Sequence, residues 1–261
     1  MDFSFDMSLA KGYKSKSQIA RVLTEAWVKS QMFCPHCGYP HLTHLKNNLP
    51  VKDFHCENCS RIYELKSKNG PFGSYITDGA YDTMMEKVQN KSVPDFLFMN
   101  YAMTPTSGEV TDLFLVPKHF FVPSVIEMRN PLSSTAKRAG WKGCNILISQ
   151  IPEQGRIPII THQVASDIAK TVNLVKQAEH LNSGSLEGNG WLFDVLNCVN
   201  LIPKSQFTLS DVYMFEKDFQ LMHPNNHNIQ AKIRQQLQRL RDANYIEFLG
   251  DGNYRKLKSD S

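Results

Sequence analysis

The chain has 261 residues, 41% of them hydrophobic and 21% charged, with 14 Gly and 13 Pro. That length fills one large domain or two modest ones, and ordinary glycine and proline counts exclude collagen-like, coiled-coil and mainly disordered chains. The formal charge of +4 permits nucleic-acid binding without demanding it. Apolar runs such as Phe96–Met99 are far too short to span a bilayer, and the first thirty residues carry eight charged side chains and no apolar signal region. The expectation is a cytoplasmic protein, neither secreted nor membrane-inserted.

In chain order, residues 17–31 have the periodicity of an amphipathic helix, with Ile19, Val22, Leu23, Ala26 and Trp27 on one face and Ser17 as N-cap. Four of the six cysteines follow as Cys34-x2-Cys37 and Cys56-x2-Cys59, with eighteen residues between the pairs. Without a secretory signal, two such knuckles read as a closed, structural zinc site and not as disulfides. The nearby His36, His41, His44 and His55 could each replace a ligand, but two knuckles already fill four positions.

Arg61–Lys66 alternates as a strand, which Gly70-Pro71 ends; residues 78–90 look helical; Asp95–Asn100 and Asp112–Val116 look like two more strands. Segment 130–145 is polar, basic and glycine-bearing, so it reads as a functional or flexible loop. A strand at Arg156–Ile160 and a helix near 164–180 complete this half. Residues 182–190 (NSGSLEGNG) form the best linker in the chain.

Beyond the linker the pattern changes to compact helices. The first is Trp191–Leu201; the second opens at Thr208 with a hydroxyl cap and runs to about Leu221; the third carries the stripe Ile229, Ile233, Leu237 and Leu240. Segments 245–249 and 254–257, around Gly250-Asp251-Gly252-Asn253, give a hairpin signal. Three helices and a hairpin describe a winged helix. Residues 184–225 hold two basic and five acidic groups, whereas 226–258 hold seven basic and three acidic. Positive charge is thus concentrated on the third helix and the hairpin, the DNA-facing parts of a helix-turn-helix relative.

The candidate chemistry lies between the knuckles and the first strand. Glu64 and Lys66 are two apart on a strand, so they share a face roughly 6.6 Å apart along it. If residues 54–60 fold back at the metal, Asp53 returns beside them. Two carboxylates and an ammonium suit a hard divalent cation such as Mg2+, which could polarise a phosphodiester and sharpen a bound water. A bare D…ExK pattern is weak, since surface strands often carry Glu and Lys.

Asp53-x10-Glu64-x-Lys66 resembles the catalytic signature of the PD-(D/E)xK nuclease superfamily. Val51-Lys52-Asp53-Phe54 ahead of a knuckle, Glu64-Leu65-Lys66-Ser67-Lys68, TAKRAGWKGCNI (135–146) and KIRQQLQRLRD (232–242) are similar, essentially end to end, to the methyl-directed (type IIM) restriction endonucleases. Lys52 stands where the superfamily name has proline, a turn position and not a ligand. The resemblance implies a mixed α/β PD-(D/E)xK core over 1–182 with the zinc module 34–59 inserted, followed by a winged-helix DNA-binding domain over 184–261. It implies Mg2+-dependent cleavage of duplex GATC sites whose adenine is N6-methylated. By it, Asp53, Glu64 and the Leu65 carbonyl would hold Mg2+, Lys66 would serve the attacking water, and Cys34, Cys37, Cys56 and Cys59 would hold Zn2+. Glu25 would be an additional metal-shell acid, as in some nucleases of this fold. The winged helix would be a second reader of the methylated site, and the protein a monomer.

The residues agree in kind. A methyl on adenine N6 lies in the major groove, where an apolar contact can sense it. Trp141, flanked by Lys137, Arg138 and Lys142, is the candidate wedge; its plain alternative is a core tryptophan under a loop. With the stripe of the third helix inward, Asn228, Ala231, Gln235, Gln238 and Arg239 turn outward, flanked by Lys232 and Arg234. Two other readings stand beside this one: a non-cleaving methyl-DNA-binding regulator, which a disabled acidic site would mark, and an RNA-directed nuclease or repair enzyme.

Overall fold

The structure, a computed structural model, describes residues 1–45 and 53–257. Val51, Lys52 and Lys258, which entered the readings above, lie outside the described residues. The chain forms two compact units, one of residues 1–121 and 125–178, the other of 122–124 and 179–261. Among the described residues, no helix is long and apolar enough to cross a membrane.

The first unit runs through α1 (Lys16–Gln31), β1 (Thr43–His44), β2 (Phe54–His55), β3 (Ile62–Asn69), β4 (Ile76–Ala80), α2 (Tyr81–Gln89), β5 (Asp95–Met103), β6 (Gly108–Val116), β7 (Ile126–Met128), β8 (Gly143–Ile146), β9 (Ile157–Thr161), β10 (Val164–Ala165) and α3 (Ile168–Glu179). Seven strands form a mixed sheet in the order β1-β2-β3-β5-β6-β9-β10, and a second sheet has the order β4-β8-β7. β3 and β5 pair in parallel, while β5 and β6 form a long antiparallel hairpin. Phe96, Leu97, Phe98 and Met99 of β5 are completely buried, which is why this run is apolar without alternation. Phe98 stacks on Phe114 across the hairpin, centroids 5.1 Å apart.

Helix α1 seals the sheet with Leu23, Thr24, Trp27 and Val28. Its cap is Ser15, not the expected Ser17; the two hydroxyls bond each other at 2.8 Å, so Ser17 is spent within the first turn. The expected helix over 78–90 begins only at Tyr81. Ile76–Ala80 is a strand, because it pairs antiparallel with β8 and the β-branched Ile76 and Thr77 favour extended backbone. β8 in turn takes the end of the expected basic loop, which is fixed by bonds such as Leu132 N to Trp141 O at 2.9 Å.

Asp95, at the start of β5, ties the cysteine module to this core. Its buried carboxylate accepts from His36 Nε2 at 3.0 Å and from the Lys118 amide at 2.8 Å, and lies 3.6 Å from Arg61 Nη1. Burial alone would raise its pKa, but these donors win and hold it below the usual carboxylate value.

The second unit contains α4 (Leu186–Leu201), β11 (Gln206–Thr208), α5 (Leu209–Tyr213), α6 (Glu216–Met222), α7 (Ile229–Asp242), β12 (Ile246–Gly250) and β13 (Asn253–Lys256), with a β11-β13-β12 sheet. The segment 182–190 is not an open linker. Ser185 caps α4, and the side chain of the buried Asn189 accepts from the Ser183 amide at 2.7 Å. A Cβ at Gly188 would lie 2.4 Å from Ser183 Oγ, so the polar, glycine-rich composition reflects a tight helix entry. The expected second helix is split at Met214-Phe215 into α5 and α6. Thr208 does cap α5, in a reciprocal capping box with Asp211. Ile229, Ile233, Leu237 and Leu240 are buried as the stripe required.

Asp95→Ala is expected to cost about 3–5 kcal/mol in denaturant unfolding, because the basic groups around a buried carboxylate would lose their partner. The depressed pKa adds a pH dependence of known sign. The contribution is fully present above the unfolded value of 3.8 and is lost as pH falls through the lower folded value.

Candidate metal and nucleic-acid site

The four thiols converge. Cys34, Cys37, Cys56 and Cys59 have sulfur atoms mutually within 4.8 Å, with Cys34–Cys59 at 3.5 Å and Cys37–Cys56 at 3.6 Å. Among the described residues this is the one set of three or more Cys, His, Asp or Glu ligand atoms gathered so closely. Four sulfurs fit a tetrahedral soft-metal site, and none of the four histidines joins them. Burial pushes the Cys34 thiol up, and its sulfur lies 3.0 Å from the Tyr63 hydroxyl. For Cys37 burial also opposes ionisation, but hydrogen bonds from Asn58 and the Tyr39 backbone prevail and lower it to about 6.

Through this turn β2 returns antiparallel to β3, with Phe54 opposite Tyr63. The Asp53 amide donates to Tyr63 O at 3.0 Å, and Asp53 Oδ2 accepts from the Leu65 amide at 2.8 Å. Asp53 is thereby fixed beside β3. Strand alternation sends Ser67 toward α1, where it meets Thr24 Oγ1 at 3.4 Å, and turns Glu64 and Lys66 to the opposite face. Glu64 is only 7% exposed, and its Oε2 has no hydrogen-bond partner. Burial pushes Glu64 up to about 7; Lys66 opposes this, while the negative charges of Asp78 and Asp53 add to it. Lys66 bonds both Glu64 Oε1 and Asp78 Oδ1, and its ammonium lies 5.6 Å from the Phe96 ring centre. Burial disfavours that ammonium, but the two carboxylates hold its pKa above the ordinary lysine value.

Asp78 escaped the sequence reading because it was assigned to a helix. The signal available was Ile76-Thr77 ahead of Asp-Gly, a β-branched pair followed by a bulge. Glu25, on α1, pairs with Arg21 Nε at 3.3 Å and His44 Nε2 at 3.1 Å. It lines a cleft of about 430 Å³ together with Leu65, Lys16 and Lys68.

The basic loop joins the same framework. Asp78 pairs with Cys144 and Ala80 with Gly143, so β8 leads from the Lys66 partner directly to the loop. Trp141 is half-buried. Its ring covers Gly143, where a Cβ would stand 3.0 Å from ring atoms, and the Arg138 guanidinium lies 4.7 Å from its ring centre. Lys137, Arg138 and Lys142 are exposed. In the second unit Asn228, Ala231, Arg234, Gln235 and Gln238 are exposed, and Lys232 and Arg239 half-buried. Arg234 donates to the Tyr213 hydroxyl at 2.6 Å, which ties α7 to α5, and Lys232 lies 5.9 Å from the Trp191 ring.

A mixed α/β domain carrying a four-cysteine cluster, in one chain with a helix-turn-helix domain, defines the class of protein. The family model DpnI, described as the Dam-replacing family, matches residues 1–184, and the Dam-replacing HTH domain matches residues 187–256. The chain belongs to the DpnI, or Dam-replacing, family.

The raised Glu64 value has a stability consequence. Its carboxyl titrates at 4.5 when unfolded and near 7 when folded, so the fold is weakened as pH rises through that window. At pH 8 in the absence of added Mg2+ or Ca2+, Glu64→Gln is expected to raise Tm, by about 2–4 °C for each kcal/mol regained. A lowered Tm in calorimetry would contradict this account of the buried carboxylate.

Proposed function

We propose that the protein is a restriction endonuclease that cuts duplex DNA at GATC sites carrying N6-methyladenine, by Mg2+-dependent phosphodiester hydrolysis. The observation that carries the reading is the buried, partly unpartnered Glu64 carboxylate between Asp53 and Lys66, in a chain that also bears a helix-turn-helix domain. Family membership and the motifs around Asp53 and Trp141 support it. The acidic residues that a non-cleaving regulator could dispense with are all present.

The donors fit a hard cation: Asp53 and Glu64 are oxygen ligands, and the free Oε2 of Glu64 is a buried acceptor that a cation would satisfy. Asp53, Glu64 and the Leu65 carbonyl would hold Mg2+, which when bound supplies charge neutralisation at the scissile phosphate and a more acidic water. Lys66 would hold the attacking water by hydrogen bonding and stabilise negative charge growing on the phosphate. The Leu65 amide keeps Asp53 from rotating away, so the ligand geometry exists before DNA arrives. Cys34, Cys37, Cys56 and Cys59 would hold one structural Zn2+.

Recognition would be divided between a catalytic domain over 1–182 and a winged-helix domain over 184–261. In the first, Trp141 would sense the adenine methyl while Lys137, Arg138 and Lys142 neutralise phosphates. In the second, Asn228, Ala231, Gln235, Gln238 and Arg239 would face base edges, with Lys232 and Arg234 at the flanks. The protein would act as a monomer in the cytoplasm.

The test is cleavage of methylated and unmethylated GATC duplexes by the full chain in Mg2+. Cutting confined to the methylated duplex is expected; equal cutting of both, or none, would contradict the reading. Asp53→Ala should lose far more than the ~100-fold that loss of an outer-shell partner costs, while duplex binding in Ca2+ persists. Undiminished cutting would move the metal elsewhere.

Trp141→Ala should erode discrimination by about 1–3 kcal/mol, the scale of one methyl-sized contact. Lys232→Ala should weaken binding to both duplexes alike. Unchanged methyl preference in the Trp141 variant, measured by competition binding, would return that ring to a structural role.

A further inference from the structure

Lys66 does not sit in the acidic site on Glu64 alone. Its ammonium is shared between Glu64 and Asp78, and Asp78 comes from β4, in a different sheet from β3. The Asp78 side chain is 13% exposed and Lys66 17% exposed, so both charges are largely removed from water. Asp78 lies at a register shift of the β4–β8 pairing, between Asp78 and Ala80, where a bulge re-aims side chains.

Two observations show that this pairing does more than fill space. Glu64 engages Lys66 through Oε1 and leaves Oε2 buried without a partner. A cation that bound Glu64 would also draw charge away from the Glu64–Lys66 ion pair. With no other counter-ion, Lys66 would be a buried ammonium facing a divalent cation, which is strongly repulsive at short range in a poorly hydrated site. Asp78 provides that counter-ion. Asp53, Glu64 and Asp78 against Lys66 also give the site a formal charge of −2, which one divalent cation neutralises; without Asp78 the site carries only −1.

We propose that Asp78 is a positioning residue of the cleavage site: it holds the Lys66 side chain in place when Glu64 turns to the cation, and it matches the site's charge to a divalent ion. This rests on the reading of Asp53 and Glu64 as Mg2+ ligands. Asp78 itself touches neither substrate nor cation; it acts through Lys66.

The experiment uses zinc-loaded full-length protein and two readouts. Isothermal titration with Ca2+ alone reports cation affinity without turnover, since thiolates do not favour Ca2+. Cleavage of methylated duplex over a Mg2+ series reports kcat, KM for DNA and the Mg2+ requirement. For the near-isosteric Asp78→Asn, Ca2+ affinity should fall and the half-maximal Mg2+ concentration rise by about 10–100-fold. Its kcat should drop while KM for DNA stays within a factor of about two, because no DNA contact is lost. Asp78→Glu, which keeps the carboxylate, should recover a large part of both. The proposal is overturned if Asp78→Asn binds Ca2+ and uses Mg2+ like the wild type. It is overturned equally if Asp78→Glu is as impaired as Asp78→Asn, since a charge partner should be replaceable by another carboxylate. Should the wild type bind Ca2+ no better than Asp53→Ala, the reading of the metal site fails, and the proposal with it.

Discussion

The hydrogen bond from the Leu65 amide to Asp53 fixes the acidic site. Asp53 lies outside any strand, and β2 behind it is only two residues long. Such a segment has little of its own to hold it against β3. The turn through Cys56 and Cys59 supplies what is missing, because it returns the chain with Phe54 opposite Tyr63 and so aligns Asp53 with Leu65. The cysteine cluster, the Asp95 network and the two-residue strand are thus parts of one device for setting a single carboxylate. A loop of this length would otherwise sample many arrangements; the thiol cluster and the fully buried Phe54 and Tyr63 together hold it in one.

The second constraint is electrostatic. Glu64 is buried enough to be raised toward neutral pH, beside the fully buried Phe96 of the neighbouring strand. A carboxylate so placed weakens the fold while no cation neutralises it, and would gain from any cation that reaches it. The β4–β8 pair then brings two distant demands together. At one end of it Asp78, paired with Cys144, meets Lys66, and the adjoining pair of Ala80 and Gly143 opens into the basic loop with Trp141 packed on Gly143. Trp141 is thus two residues from β8, which pairs with the strand that carries the lysine's partner.

Much of this was legible in the residues. The knuckle spacing gave the thiol cluster, the stripe Ile229, Ile233, Leu237 and Leu240 gave the buried face of α7, and the apolar run in β5 gave the central strand. These signals are local and periodic. What stayed hidden depends on partners remote in sequence. Asp78 looked helical because it adjoins the helix Tyr81–Gln89; the weak local signal of Ile76-Thr77 ahead of Asp-Gly becomes decisive only through the remote pairing with Cys144. Segment 182–190 looked like a linker because its composition is polar, whereas Gly188 is there for lack of room beside Ser183. The break at Met214-Phe215 carries neither Gly nor Pro, so no sequence signal marked it. The α1 cap was expected at Ser17 and falls at Ser15, since the helix starts at Lys16, one residue before the expected cap.

If the cysteine cluster holds zinc as proposed and thereby sets Asp53, then removing that zinc must disable a site that contains no cysteine. The decisive measurement is a stepwise withdrawal of zinc by chelation, with Ca2+ binding and cleavage of methylated duplex followed on the same samples. Both should fall in proportion to zinc content and return when zinc is restored. Zinc-free protein that binds Ca2+ and cuts at the wild-type rate would separate the two sites and contradict the account.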